Sequence, residues 1–131
     1  MIGLNVPYSF GNNNLSGEET LKNCLQLGVS GLELRSQPIE AFMGRPAALG
    51  ARGAPAGGLA QWRLNAPLEK AREVRKIYED AGVFPEIVKY DGVPAMTDAE
   101  LEYAFTLAKI VGPQLGAFES YLAMRGIRPS E

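Results

Sequence analysis

Glu33 lies between Leu32 and Leu34 in the segment Gly31-Leu-Glu-Leu-Arg35, with Arg35 two residues further on. Alternation along a strand puts both leucines on one face and Glu33 and Arg35 on the other. A carboxylate in that position accepts a hydrogen bond from a ligand hydroxyl, or supports a metal ligand from behind. It reads equally well as half of an internal ion pair with Arg35 or Lys89. Lys89, near the end of a later apolar run, offers an ammonium to an oxyanion or phosphate, or pairs with Glu33. Asn5 offers an amide donor to a hydroxyl, or is a satisfied buried amide. Tyr8 either lines a pocket or packs. Arg35 suits an anion clamp, although a surface or loop position is the plainer expectation. These residue types share one chemistry, the recognition of hydroxyls and oxyanions.

Other chemistries are excluded by composition. The chain contains no histidine and one cysteine, Cys24. A His general base, a His-based triad, the zinc sets that need His and an internal disulfide therefore all fall away. Cys24 is expected to be a small core residue on an apolar helix face. A net charge of −2 with a pI near 5.3 argues against a nucleic-acid partner, which needs a basic face. No apolar run reaches the ~18 residues that span a bilayer, and no signal peptide follows Met1. No membrane association is expected, and the expected location is cytoplasmic, with export by a signal lost upstream of Met1 as the alternative.

The elements that must position these residues follow from periodicity. Ile2, Leu4 and Val6 alternate as a first strand. Ser16-Gly-Glu-Glu19 is a capping box. The helix it opens sets Leu21, Cys24, Leu25 and Gly28 on one face, and Gly28 closes it. Gly31–Leu34 is the second strand, and Pro38–Met43 a short helical turn. The Gly/Ala/Pro-rich stretch 44–60 is expected to be a loop or mobile insertion, with Trp62 ahead of the second long helix. That helix starts near Pro67, buries Ala71, Val74, Tyr78 and Ala81, and ends at Gly82. Phe84–Tyr90 is the third strand, with Pro85 at its beginning. Thr97-Asp-Ala-Glu100 is a second capping box. The helix after it is expected to bury Leu101, Ala104, Phe105, Ala108 and Val111 before Gly112-Pro113 stops it. Leu115–Glu119 fits a fourth strand and Tyr121–Arg125 one helical turn.

Strands alternating with long amphipathic helices imply an α/β fold with parallel pairing. Gly11-Asn-Asn-Asn14 is not the glycine-rich phosphate loop of an open doubly wound sheet. A (β/α)8 TIM barrel, represented by its first three to four βα units, fits better. Ligands then bind at the strands' C-terminal ends, where Asn5, Glu33 and Lys89 fall.

Several segments are similar, in order and spacing, to a known family: Gly3-Leu-Asn-Val-Pro-Tyr-Ser9, Leu21-Lys-Asn-Cys-Leu25, Gly31-Leu-Glu-Leu-Arg-Ser-Gln-Pro-Ile-Glu-Ala-Phe42, Trp62-Arg-Leu64, Tyr78-Glu-Asp-Ala-Gly82, Ile87-Val-Lys89 and Met96-Thr-Asp-Ala-Glu100. They resemble the N-terminal part of bacterial sugar phosphate isomerase/epimerase proteins of the xylose isomerase-like TIM-barrel superfamily, over residues 2–112. The resemblance implies an eight-stranded barrel of about 250 residues. It also implies a divalent metal such as Mn, Mg, Zn or Co, and proton transfer next to a sugar carbonyl. In that family carboxylates and a His on later strands hold the metal, so no metal ligand carries over to residues 1–131. What carries over is a substrate-binding role for Asn5, Tyr8, Glu33 and Lys89 towards a sugar or sugar phosphate. The expectation is an N-terminal fragment of an isomerase/epimerase, inactive alone. The alternative is a non-catalytic half-barrel that binds or self-associates as a homo-oligomer through its open sheet edge. A metal-dependent endonuclease of the same superfamily is disfavoured by the acidic pI.

Overall fold

The computed structural model describes the backbone of residues 3–5 and residues 17–51 and 53–112 in full. The expected strand at Ile2–Val6 appears as β1 (Gly3–Asn5). It is followed by α1 (Gly17–Leu27), β2 (Gly31–Arg35) and α2 (Ser36–Phe42). Next come two short helices, α3 (Ala47–Gly50) and α4 (Gly58–Leu64). The chain continues through α5 (Glu69–Asp80), β3 (Phe84–Lys89), a 3-10 turn and α6 (Asp98–Val111). Ser16, the loop 11–14, Tyr8 and both elements expected after Pro113 lie outside the described residues.

The sheet is parallel, in the order β1-β2-β3. Gly3 pairs with Gly31 and Asn5 with Glu33. On the other side Leu32 pairs with Pro85 and Glu33 with Ile87, so β3 carries Glu86 as an extra residue beside the proline. A proline cannot donate to the ladder, and a bulge next to it absorbs the missing bond. Sequential parallel strands joined by right-handed crossovers place their helices on a single face. Burial agrees. Leu32, Leu34 and Val88 join one core cluster with Leu21 and Cys24 of α1, Ile39 of α2, Val74 and Tyr78 of α5, and Leu107 of α6. Ile87, on the opposite face of β3, does not belong to that cluster.

The helix ends follow local chemistry. Gly28 and Gly82 end α1 and α5 at φ +69° and +78°, a conformation that favours glycine. Thr97 realises the capping box: its hydroxyl accepts from the Glu100 N–H, while the Glu100 carboxylate accepts from the Thr97 N–H. Tyr78, fully buried, donates from its hydroxyl to the Gly17 carbonyl and ties α5 to the start of α1. Among the described residues, no helix is long and apolar enough to cross a membrane.

Three sequence expectations are corrected. The stretch 44–60 contains α3 and the start of α4; Trp62 lies within α4 and, as expected, ahead of the long helix α5. Packing holds these short turns: Arg45 lies against Gly50, where a Cβ would meet its guanidinium at 2.5 Å. In α1 the buried face is Gly17, Thr20, Leu21 and Cys24, while Leu25 is 51% exposed. In α6 the buried face is rotated to include Glu100, Tyr103 and Leu107, leaving Leu101 and Phe105 half-buried. That rotation follows from α6 contacting both α4 and α5 rather than one neighbour.

Candidate functional site

The C-terminal ends of the three strands bring together residues distant in sequence. In β2 the pleat sends Leu32 and Leu34 into the core, so Glu33 and Arg35 project from the face opposite the helices. In β3 Val88 points into the core, which sends Lys89 the other way. Lys89 Nζ stands 3.9 Å from Glu33 Oε1, with the two side chains 14% and 19% exposed. That separation is electrostatic contact and too long for a hydrogen bond. Glu33 Oε1 is buried and accepts no hydrogen bond.

Arg35 is paired in register with Lys89. Its guanidinium donates to Asp91 at 2.8 Å, and Gln37 Nε2 donates to the same carboxylate oxygen at 3.1 Å. Asp91 remains partly exposed at the mouth of the group, whereas Arg35 is buried. The surface or loop position expected for Arg35 is therefore corrected. Asp91 neutralises it, which makes burial of the guanidinium tolerable. Gln37 Oε1 is a second buried oxygen that accepts nothing.

Of the four substrate-binding candidates, Glu33 and Lys89 are brought together. The backbone of Asn5 sits beside Glu33 in register. Tyr8 lies outside the described residues. Sequence reasoning missed Asp91 and Gln37. The available signal was Asp91-Gly92 directly after a strand, where ligand-facing loops begin in βα folds.

A second charged cluster lies on the helix side. Glu40 of α2 is wholly buried and accepts from Arg63 Nε at 2.8 Å, from Arg45 Nη1 at 3.3 Å and from the Tyr103 hydroxyl at 3.3 Å. Arg63 also reaches Glu100 at 3.4 Å and lies 5.8 Å from the ring centres of Tyr90 and Tyr103. Burial alone would lower the Arg63 pKa, but the charge and hydrogen bond of Glu40 outweigh it and hold it above the usual value. Burial first, then the nearby charges of Tyr103 and Glu40, pushes the Tyr90 phenol up. Burial, then Glu40, does the same to Tyr103. The two carboxylates and two guanidiniums balance, and each finds its partner inside the cluster. Its role is to pin α2, the Arg45 segment, α4 and α6 together.

A further groove, of about 450 Å³ and lined by Leu21, Leu25 and Ile77 among others, runs between α1 and α5. It belongs to the helix layer rather than to the strand ends, and the chemistry is not there. Among the described residues no three Cys, Asp or Glu side chains converge to hold a metal ion. Glu33 is the carboxylate with an unpaired buried oxygen, and it faces an ammonium. The described residues do not fit a divalent ion. No protein-family model, curated protein or solved structure matches the chain.

Proposed function

We propose that this chain supplies the first βα units of a TIM-barrel sugar isomerase/epimerase and contributes the sugar-binding wall rather than the proton-transfer machinery. The observation that carries the reading is the Glu33–Lys89 pair, set at the C-terminal end of parallel strands on the face opposite the helix layer. Glu33 accepts from a sugar hydroxyl. Lys89 donates to an oxygen of the same sugar, and its charge favours that oxygen as negative charge develops on it during proton transfer next to the carbonyl. Sugar-binding roles for Asn5 and Tyr8 are part of the same proposal. The proton transfer itself is assigned to no described residue.

The test is ligand binding by the full 131-residue chain, followed by amide chemical shifts in NMR with D-fructose and D-xylose. The expected result is millimolar binding that perturbs the ends of β2 and β3 and is lost in Lys89→Met. Shifts confined to other regions, or Lys89→Met binding as well as wild type, would overturn the assignment. Turnover of either sugar by the metal-supplemented chain would refute the division of labour. A second reading, a self-associating half-barrel without catalysis, is favoured by Phe84 and Ile87, which lie outside the core. Concentration-dependent dimers without sugar binding would select it.

A further inference from the structure

Of the chain's lysines, Lys22, Lys70, Lys76 and Lys109 lie on helices, and Lys89 alone ends a strand. Its side chain is 14% exposed, and its Nζ stands 3.9 Å from Glu33 Oε1, too far for its N–H groups to donate there. Glu33 Oε1 is itself buried and accepts no hydrogen bond. A settled ion pair closes to hydrogen-bond distance, as Arg75 and Glu79 do at 2.8 Å on α5. The Lys89 pair instead leaves an amine and a carboxylate oxygen facing each other across a gap. Arg35, on the same face of β2 as Glu33, directs its guanidinium to Asp91 at 2.8 Å. An amine with an adjacent base, at the end where βα folds bind ligands, is the arrangement that makes lysine a nucleophile towards carbonyls.

We propose that Lys89 captures the open-chain carbonyl of an aldose or ketose as a protonated imine, with Glu33 as the base that frees its amine. The ammonium first holds the carbonyl oxygen. Glu33 then takes one of its protons, and the freed lone pair on Nζ attacks the carbonyl carbon. The carbon–nitrogen bond forms as the carbonyl π bond breaks onto oxygen. That oxygen takes one proton from nitrogen and the one held by Glu33, and departs as water. The positive charge stays on the iminium, Glu33 is again a carboxylate, and nothing is oxidised or reduced. The iminium draws electrons from the neighbouring carbon, whose proton is the one a sugar isomerisation or epimerisation moves. The inference rests on the sugar-binding reading above and makes that wall's contact with its substrate covalent.

The experiment incubates the full chain with D-glyceraldehyde and cyanoborohydride, which reduces an imine to a stable amine. Peptide mass spectrometry then maps the added mass to each lysine. Exposure alone favours Lys76, whose side chain is 74% exposed, over Lys89. The expected result is the reverse, with Lys89 labelled about tenfold faster or more than any helical lysine. Glu33→Gln is expected to slow labelling at Lys89 by about tenfold or more, and Glu33→Asp to restore part of it, with the helical lysines unchanged. Labelling of wild-type Lys89 no faster than the helical lysines would overturn the inference and leave the non-covalent sugar wall standing. Equal labelling of Lys89 in wild type and Glu33→Gln would overturn the role given to Glu33. Fast labelling of Lys89 in a chain whose strand ends show no shifts with D-fructose or D-xylose would uphold the nucleophilic amine and overturn the sugar-binding reading.

Discussion

Glu40→Gln removes the charge at the centre of the buried ion cluster. The carboxylate is wholly buried and holds two guanidiniums, at 2.8 and 3.3 Å, together with the Tyr103 hydroxyl. The amide preserves volume but removes the charge. Arg63 then retains Glu100 at 3.4 Å, whereas Arg45 loses the Glu40 contact that neutralised it. Removing one member of a buried ion pair costs about 3–5 kcal/mol, because the other charge is left desolvated. With about 2.1 cal/mol/K of unfolding entropy per residue, a 131-residue chain loses roughly 4 °C of Tm per kcal/mol, or about 10–20 °C in all. Against a total stability of about 5–15 kcal/mol, this is roughly a fifth or more of the fold. Arg63→Met should cost less, because Glu40 keeps Arg45 and Tyr103. The assay is urea unfolding followed by far-UV circular dichroism and tryptophan fluorescence. Trp62, the chain's one tryptophan, sits on α4 beside Arg63 and reports locally. A loss below about 1 kcal/mol in Glu40→Gln would mean that the cluster is solvated like a surface pair. A larger loss in Arg63→Met would reverse the argued order. Either outcome would refute the reasoning.

The remaining predictions concern pH and the backbone. Burial raises the phenol pKa values of Tyr78, Tyr90 and Tyr103 and the thiol pKa of Cys24. Groups raised on folding contribute in full below their unfolded pKa, and the contribution is lost as pH climbs towards the folded value. Stability should begin to fall near pH 9 through Cys24, then above about pH 10 by roughly 4 kcal/mol per pH unit from the three phenols. Urea midpoints that stay level up to pH 11 would contradict this. Gly82→Ala should cost about 1–2 kcal/mol through backbone strain alone, since φ is +78° and no atom lies within 4 Å of the added methyl. A neutral effect in denaturant unfolding would show that the α5 terminus relaxes.

The parts of the fold legible in the sequence were those governed by neighbours in the chain. Ala71, Val74 and Tyr78 declared α5 by their spacing, and Thr97 with Glu100 declared the start of α6. Leu32 and Leu34 forced Glu33 onto the opposite face, which is why its meeting with Lys89 could be anticipated. The buried charges were not legible. Glu40 meets Arg63 across 23 residues and Tyr103 across 63. Nothing local distinguishes a carboxylate destined for such partners from one destined for water. Arg35 was misplaced for the same reason, since Asp91 lies 56 residues away. The helices α3 and α4 were hidden by a composition rich in glycine and proline, where packing rather than propensity decides.

The Glu40 cluster also has a consequence for the order of folding. Its carboxylate lies on α2, while the hydroxyl and the second carboxylate that complete the group arrive only with α6. During synthesis from the N-terminus, the group stays incomplete until Tyr103 has emerged. Charges desolvate only when all their partners are in place, so this cluster closes after the helices have met. Interactions absent from the transition state govern the rate of escape from the native state rather than the rate of reaching it. The expected signature is a latch: Glu40→Gln should speed unfolding far more than it slows folding, and a change confined to the folding rate would place the cluster in the transition state.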